Sequence, residues 1–122
     1  MVEANGIKLG LQRGAKSAIL FGLRSMPLQL VLFVTSRCNM RCDHCFYLEE
    51  INDSSRTELS IEQIEILAKD LGGLNWVALS GGEPYLRRDL VEIVQAFYRY
   101  SRPNIISHVT NGYYPDRISV MT

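Results

Sequence analysis

The chain has no excess charge of either sign, no long uninterrupted apolar run, and no cysteine outside one eight-residue segment. Each absence excludes something. Thirteen Lys and Arg balance thirteen Asp and Glu, so no basic footprint calls for nucleic acid or an anionic membrane surface. The most apolar stretch, 18–34, is broken by Arg24, Pro27 and Gln29, which leaves no segment able to span a bilayer. Residues 1–14 carry charge and lack an apolar core followed by a small-residue cleavage site, which argues against a secretory leader. An odd number of cysteines packed together does not form a disulfide framework and fits a reducing compartment, so a cytoplasmic location is expected. Repeats, low-complexity tracts and an interdomain linker are also missing. What remains, 122 residues of which 47% are apolar, suits one globular domain or a piece of one, with a modest core.

The cysteines carry the most information. Cys38, Cys42 and Cys45 lie in Cys-Asn-Met-Arg-Cys-Asp-His-Cys, spaced by three residues and then two. Three soft thiolates on one short loop hold a metal centre and leave one coordination position unfilled. A closed zinc site wants four protein ligands, and cubane iron–sulfur clusters usually take four cysteines. The set therefore suggests a metal centre meant to bind something else. Three rivals stand beside it: zinc completed by His44 or His108, a cluster serving electron transfer only, and buried inert cysteines, against which the close clustering argues.

The pattern around the loop alternates strand and helix. A short helix is expected over 15–24, within a lead-in spanning 1–26. From residue 28 to 35 an almost continuous apolar run reads as a first strand with both faces covered. Residues 49–58 are polar and read as an exposed loop. Ser60 and Gln63 form a capping-box pattern, opening a helix to about Leu71 with Ile61, Ile64, Leu67, Ala68 and Leu71 on one face, ended by Gly72-Gly73. A second strand covers 76–80, a second helix 88–100, and a third strand 104–109, with a third helix expected to start where the chain stops. Phe97, Tyr98 and Tyr100 read as core or sheet cover, Phe46 and Tyr47 equally as core, and Arg37, Asn39 and Arg41 as solvated loop residues. Strand–helix alternation implies a parallel sheet, whose ligands gather at the carboxyl ends of the strands. The cysteines, Gly81-Gly82-Glu83-Pro84 and Thr110-Asn111-Gly112 follow the three strands in turn.

Cys-x-x-x-Cys-x-x-Cys after a first strand and Gly-Gly-Glu-Pro after a second resemble the radical S-adenosylmethionine (SAM) superfamily, over about residues 28–112. The resemblance implies an α/β fold of parallel strand–helix repeats, the first half of a partial (β/α)6 TIM-like barrel, with its core over 27–122. It implies that Cys38, Cys42 and Cys45 hold a [4Fe–4S] cluster whose fourth iron is chelated by SAM. An electron from the cluster then cleaves SAM to a 5′-deoxyadenosyl radical, which abstracts hydrogen from a substrate. It further implies that Gly81, Gly82 and Glu83 receive SAM's amino group, that His44 lies beside the adenine, and that Thr110 contacts the carboxylate or ribose, with Asn111 a weaker candidate. No catalytic side chain is named by it. An electron donor such as flavodoxin or ferredoxin is the implied partner.

The flanking segments, Cys-Phe-Tyr and Pro-Tyr-Leu-Arg-Arg-Asp-Leu, are similar to the branch holding peptide-modifying maturases and molybdenum-cofactor synthesis enzymes. A peptide is one candidate substrate on that ground. Only about three of six strand–helix units fit in 122 residues. The chain is therefore expected to be a piece, a short form, or half of something that a partner completes, and not to turn over substrate alone. A non-enzymatic metal module and a SAM-binding remnant without turnover are the alternatives.

Overall fold

The computed structural model describes residues 28–121; the lead-in over 1–26 and its helix at 15–24 lie outside the described residues. Three strands, β1 (Gln29–Thr35), β2 (Trp76–Gly81) and β3 (Ile105–His108), form one parallel sheet in the order β1-β2-β3. The register sets Gln29 opposite Trp76, and Trp76 opposite Ile105. Helix α1 (Ile61–Leu71) fills the first crossover and α2 (Leu90–Tyr100) the second, while α3 (Pro115–Met121) follows β3. Among the described residues no helix is long and apolar enough to cross a membrane.

The local signals act as their chemistry requires. Ser60 Oγ accepts from the Gln63 N–H at 3.3 Å, and the Ser60 N–H donates to Gln63 Oε1 at 2.9 Å, completing the capping box. Gly72, at φ 56°, stops α1 where a side chain would be strained. Ile64 and Ala68 of α1 and Leu90, Ile93, Ala96 and Phe97 of α2 bury themselves against Val34, Val77 and Leu79 of the sheet. The buried Ser101 hydroxyl donates to Ala68 O at 2.7 Å, joining the end of α2 to α1.

Four expectations are corrected. The first strand is covered on one face only among the described residues: Val31 and Phe33 are 54% and 38% exposed, and Ile105, on the same face by register, is 52% exposed. The reason is that α1 and α2 pack together on the other face, the one carrying Leu30, Leu32 and Val34. Second, α2 starts at Leu90 and not at 88. Pro84–Leu86 forms a 3₁₀ turn, and the Asp89 carboxylate is taken by Arg87, so it makes no cap bond. Third, the last helix already occupies Pro115–Met121; Pro115 at its first position is preorganised for a helix start, and Ile118 and Met121 pack on the core. Fourth, Tyr98 is 71% exposed while Phe97 is wholly buried. Tyr100 is half-buried beneath the Lys69 ammonium, 4.4 Å from its ring centre.

Candidate metal and cofactor site

The segment between β1 and α1 is a run of turns. Cys45 N–H donates to Cys42 O at 3.0 Å, Leu48 N–H to Cys45 O at 3.3 Å, and Glu50 N–H to Tyr47 O at 3.2 Å. Asn52 returns this loop to its own start. Its N–H reaches Ser36 O at 2.9 Å, and its side-chain amide exchanges a pair of 3.0 Å bonds with the backbone of Cys38. Asn52 stands at φ 60°, a conformation that asparagine tolerates better than most residues. All three cysteines are free thiols, Cys42 exposed and the other two half-buried. Among the described residues no three His, Cys, Asp or Glu side chains are gathered closely enough to hold a single metal ion.

Beside them lies a cleft of about 330 Å³, walled by all three strand-end loops. Cys38, Cys42, His44 and Cys45 come from the first, Ser80, Gly81 and Gly82 from the second, and Val109, Thr110 and Asn111 from the third. The sequence-predicted cysteines, His44, Gly81, Gly82 and Thr110 thus meet at one place. His108 does not join them. Its Nδ1 pairs with the Tyr85 hydroxyl at 2.8 Å, the rings meet edge-on, and burial pushes its pKa below the usual histidine value.

The glycines answer a steric demand from the first loop. A Cβ on Gly82 would lie 2.2 Å from Arg37 O, and one on Gly81, which stands at φ +122°, 2.2 Å from Thr35 O. The close approach allows Gly82 N–H to donate to Thr35 O at 2.9 Å and Glu83 N–H to Arg37 O at 2.8 Å. Glu83 itself is beneath the cleft wall, 1% exposed. Its carboxylate accepts from Tyr85 N–H at 3.0 Å, from the Thr110 hydroxyl at 3.0 Å to each oxygen, and from Asn111 N–H at 2.8 Å.

Sequence reasoning missed several residues that hold this site. Arg37, expected to be solvated, grips Glu58 at 2.9 and 3.1 Å. Burial of Glu58 opposes its ionisation, but hydrogen bonds from Thr35 and Arg37 and the Arg37 charge hold its pKa below the usual value. Arg87, 3% exposed, donates to Val34 O at 2.6 Å and to Leu59 O. These carbonyls lie at the two stems of the cysteine loop, so one guanidinium pins both. It is oriented by Asp89 at 2.8 Å, whose pKa this bond lowers. The one sequence signal was an Arg two residues before an Asp, directly after the Gly-Gly-Glu-Pro turn. Asn52 gave no signal beyond its turn-rich surroundings.

Three free, soft thiols on the rim of a cleft fit an iron–sulfur centre. The backbone N–H of Met40 stands 3.4 Å from Cys38 Sγ, a donor suited to a thiolate ligand.

Residues 32–121 match the Radical SAM superfamily, and the chain belongs to it. Members of this superfamily are enzymes that use a [4Fe–4S] cluster and SAM. The chain is 43% identical over 88 residues to a probable GTP 3′,8-cyclase of Methanothermobacter thermautotrophicus, covering 70% of this chain and 28% of that protein. It is 39% identical over 87 residues to the GTP 3′,8-cyclase of Nautilia profundicola, covering 66% of this chain and 26% of that one. It is 37% identical over 86 residues to molybdenum cofactor biosynthesis protein 1 of Drosophila melanogaster, covering 68% and 15%. The expected likeness to the molybdenum-cofactor branch is thereby met. The chain spans little more than a quarter of these relatives' length at most.

Proposed function

We propose that Cys38, Cys42 and Cys45 ligate three irons of a [4Fe–4S] cluster, that SAM occupies the cleft beside them, and that this assembly performs radical SAM chemistry. The observation that carries the reading is the convergence of the three cysteines, Gly81-Gly82 and Thr110 on one cleft at the carboxyl ends of parallel strands. Among the described residues the helices pack on one face of the sheet, which suits the wall of a partial (β/α)6 barrel, with its core over 27–122, better than a doubly wound sheet.

With cluster and SAM bound, the chemistry supplied is one-electron cleavage of the sulfonium followed by hydrogen abstraction. The chain's own part is placement. Asn52 and Arg87 fix the loop that carries the thiolates. Gly81 and Gly82 bring backbone polar groups to the cleft wall. His44, exposed on the rim, is placed to lie against a planar ring. In this reading Glu83 serves SAM by holding Thr110 and the backbone of Asn111 in place. The likeness to GTP 3′,8-cyclases directs the substrate class to GTP in preference to a peptide. A low-potential one-electron donor such as flavodoxin or ferredoxin completes the set.

The test is electron paramagnetic resonance on anaerobically reconstituted, reduced protein, with and without SAM. A [4Fe–4S]⁺ signal altered by SAM is expected. A cluster signal indifferent to SAM would favour an electron-transfer module, and stoichiometric zinc with no cluster would overturn the reading. The substrate assignment is checked separately, by whether GTP and not an unrelated peptide increases the release of 5′-deoxyadenosine.

A further inference from the structure

We infer that Asn111 tunes the cluster by donating its side-chain amide to the sulfur of Cys38, and that Glu83 is the positioning residue that keeps it there. The inference rests on the cluster reading above. Asn111 Nδ2 stands 3.9 Å from Cys38 Sγ and 3.0 Å from Asn39 Oδ1. Which end of the amide faces the sulfur follows from its other contact. Asn111 Oδ1 accepts from Tyr113 N–H at 3.0 Å, and a backbone N–H is only a donor. The oxygen must therefore face Tyr113, which leaves the NH₂ for the cysteine loop.

The backbone of Asn111 is fixed just as firmly. Its N–H donates to Glu83 Oε2 at 2.8 Å, and Glu83 is held by Thr110 and by Tyr85 N–H. Cys38 is thus a ligand whose sulfur has two N–H donors near it, Met40 N–H at 3.4 Å and the Asn111 amide at 3.9 Å. Hydrogen bonds to a cluster thiolate favour the reduced state, which carries more negative charge, and so raise the reduction potential. On this account the residue pair governs how easily the cluster accepts its electron.

The experiment compares reconstituted wild type with Asn111→Ser, Asn111→Asp and Glu83→Asp, measuring iron and sulfide content, SAM affinity, and midpoint potential in the absence of SAM. Asn111→Ser keeps an oxygen for Tyr113 N–H but is too short to reach the sulfur. It is expected to shift the potential, measured without SAM, to more negative values with cluster content unchanged. Asn111→Asp, which sets an acceptor against the thiolate, is expected to shift it further. Glu83→Asp, which keeps the negative charge and the Asn111 side chain but is one methylene too short to hold the Asn111 N–H in place, is expected to shift it less, in the same direction. A potential unmoved in Asn111→Ser overturns the inference. So does a normal potential with weakened SAM binding, which would make Asn111 a SAM contact. Should Asn111→Ser hold no cluster, Glu83→Asp decides: no shift there overturns the proposal. A wild type that takes up no iron would fail the cluster reading itself, a distinct result.

Discussion

A single methyl group at Gly82 tests how tightly the strand-end loops are drawn together. The Cβ of Gly82→Ala would stand 2.2 Å from Arg37 O, 2.7 Å from Arg37 C and 2.9 Å from Ser36 O, all backbone atoms that no side-chain rotation can move aside. An ordinary carbon–oxygen contact needs well over 3 Å, so the loops after β1 and β2 must part by about 1 Å. The separation falls on two hydrogen bonds, Gly82 N–H to Thr35 O at 2.9 Å and Glu83 N–H to Arg37 O at 2.8 Å. Lengthened by that much, neither remains a hydrogen bond. Overpacking costs about 1–3 kcal/mol, and each lost bond about 1 kcal/mol. The expected loss is therefore about 3–5 kcal/mol, a large part of the roughly 5–15 kcal/mol that stabilises a folded domain.

The assay is urea unfolding of the apo protein followed by far-ultraviolet circular dichroism, with Gly112→Ala as control. Gly112 stands at φ +73° with nothing within 4 Å of an added Cβ, so its substitution carries conformational strain alone, worth about 1 kcal/mol. Gly82 has no such strain, because its φ lies outside the left-handed region. Its cost is steric. If Gly82→Ala proves no more destabilising than Gly112→Ala, the close approach of the loops is not a constraint and the reasoning fails.

Three further outcomes follow. Arg87→Met removes the donor to Val34 O and Leu59 O and strands Asp89; it is expected to cost about 3–5 kcal/mol in urea unfolding, and Arg87→Lys should recover little, since one ammonium does not reproduce the planar fork. Stability should fall as pH drops below about 6.5, because His108 is protonated there in the unfolded chain, while burial in the fold holds it neutral until its lower folded pKa is reached. His108→Phe should flatten the urea midpoint between pH 7 and 5, and an unchanged slope would refute the assignment; Glu58 and Asp89, whose pKa values lie below their ordinary 4.5 and 3.8, act only in more acid solution. Replacing any one of Cys38, Cys42 or Cys45 by alanine should abolish the cluster's visible absorbance after reconstitution, whereas His108→Phe should leave iron content at wild type.

The strand–helix order and the residues that line the cleft were legible for a common reason: each is written in short-range pattern. The capping box at Ser60 and Gln63, the glycine stop at 72 and the spacing of the three cysteines are all local. What escaped depends on partners brought together only by folding. Glu83 reads as a residue of the turn, but what it binds arrives with Thr110 and Asn111 on another strand. Arg87 stands just before the expected start of the second helix, and its acceptors flank a loop nearly thirty and more than fifty residues earlier. The open face of β1 escaped for another reason. An apolar run announces that both faces are greasy, and only the helices decide which is covered.

Those long-range ties close on themselves. The loop after β1 is joined to the loop after β2 through Gly82 N–H to Thr35 O and Glu83 N–H to Arg37 O. The loop after β2 is joined to the loop after β3 by the Glu83 carboxylate on Thr110 and Asn111. The loop after β3 returns to the first through the Asn111 amide on Asn39. In a ring of three ties, breaking one leaves a chain of two that still holds all three loops, while breaking the first and the third leaves the cysteine loop joined to the other two only through Arg87 at its stems. Gly82→Ala and Asn111→Ser should therefore be non-additive, with the double variant losing more unfolding free energy than the two single losses combined, by an interaction energy of at least about 0.5 kcal/mol. Urea unfolding of the four apo proteins measures it. Additive losses would show that each tie acts alone, and that the cysteine loop and the Gly-Gly loop are held by their own strands and not by one another.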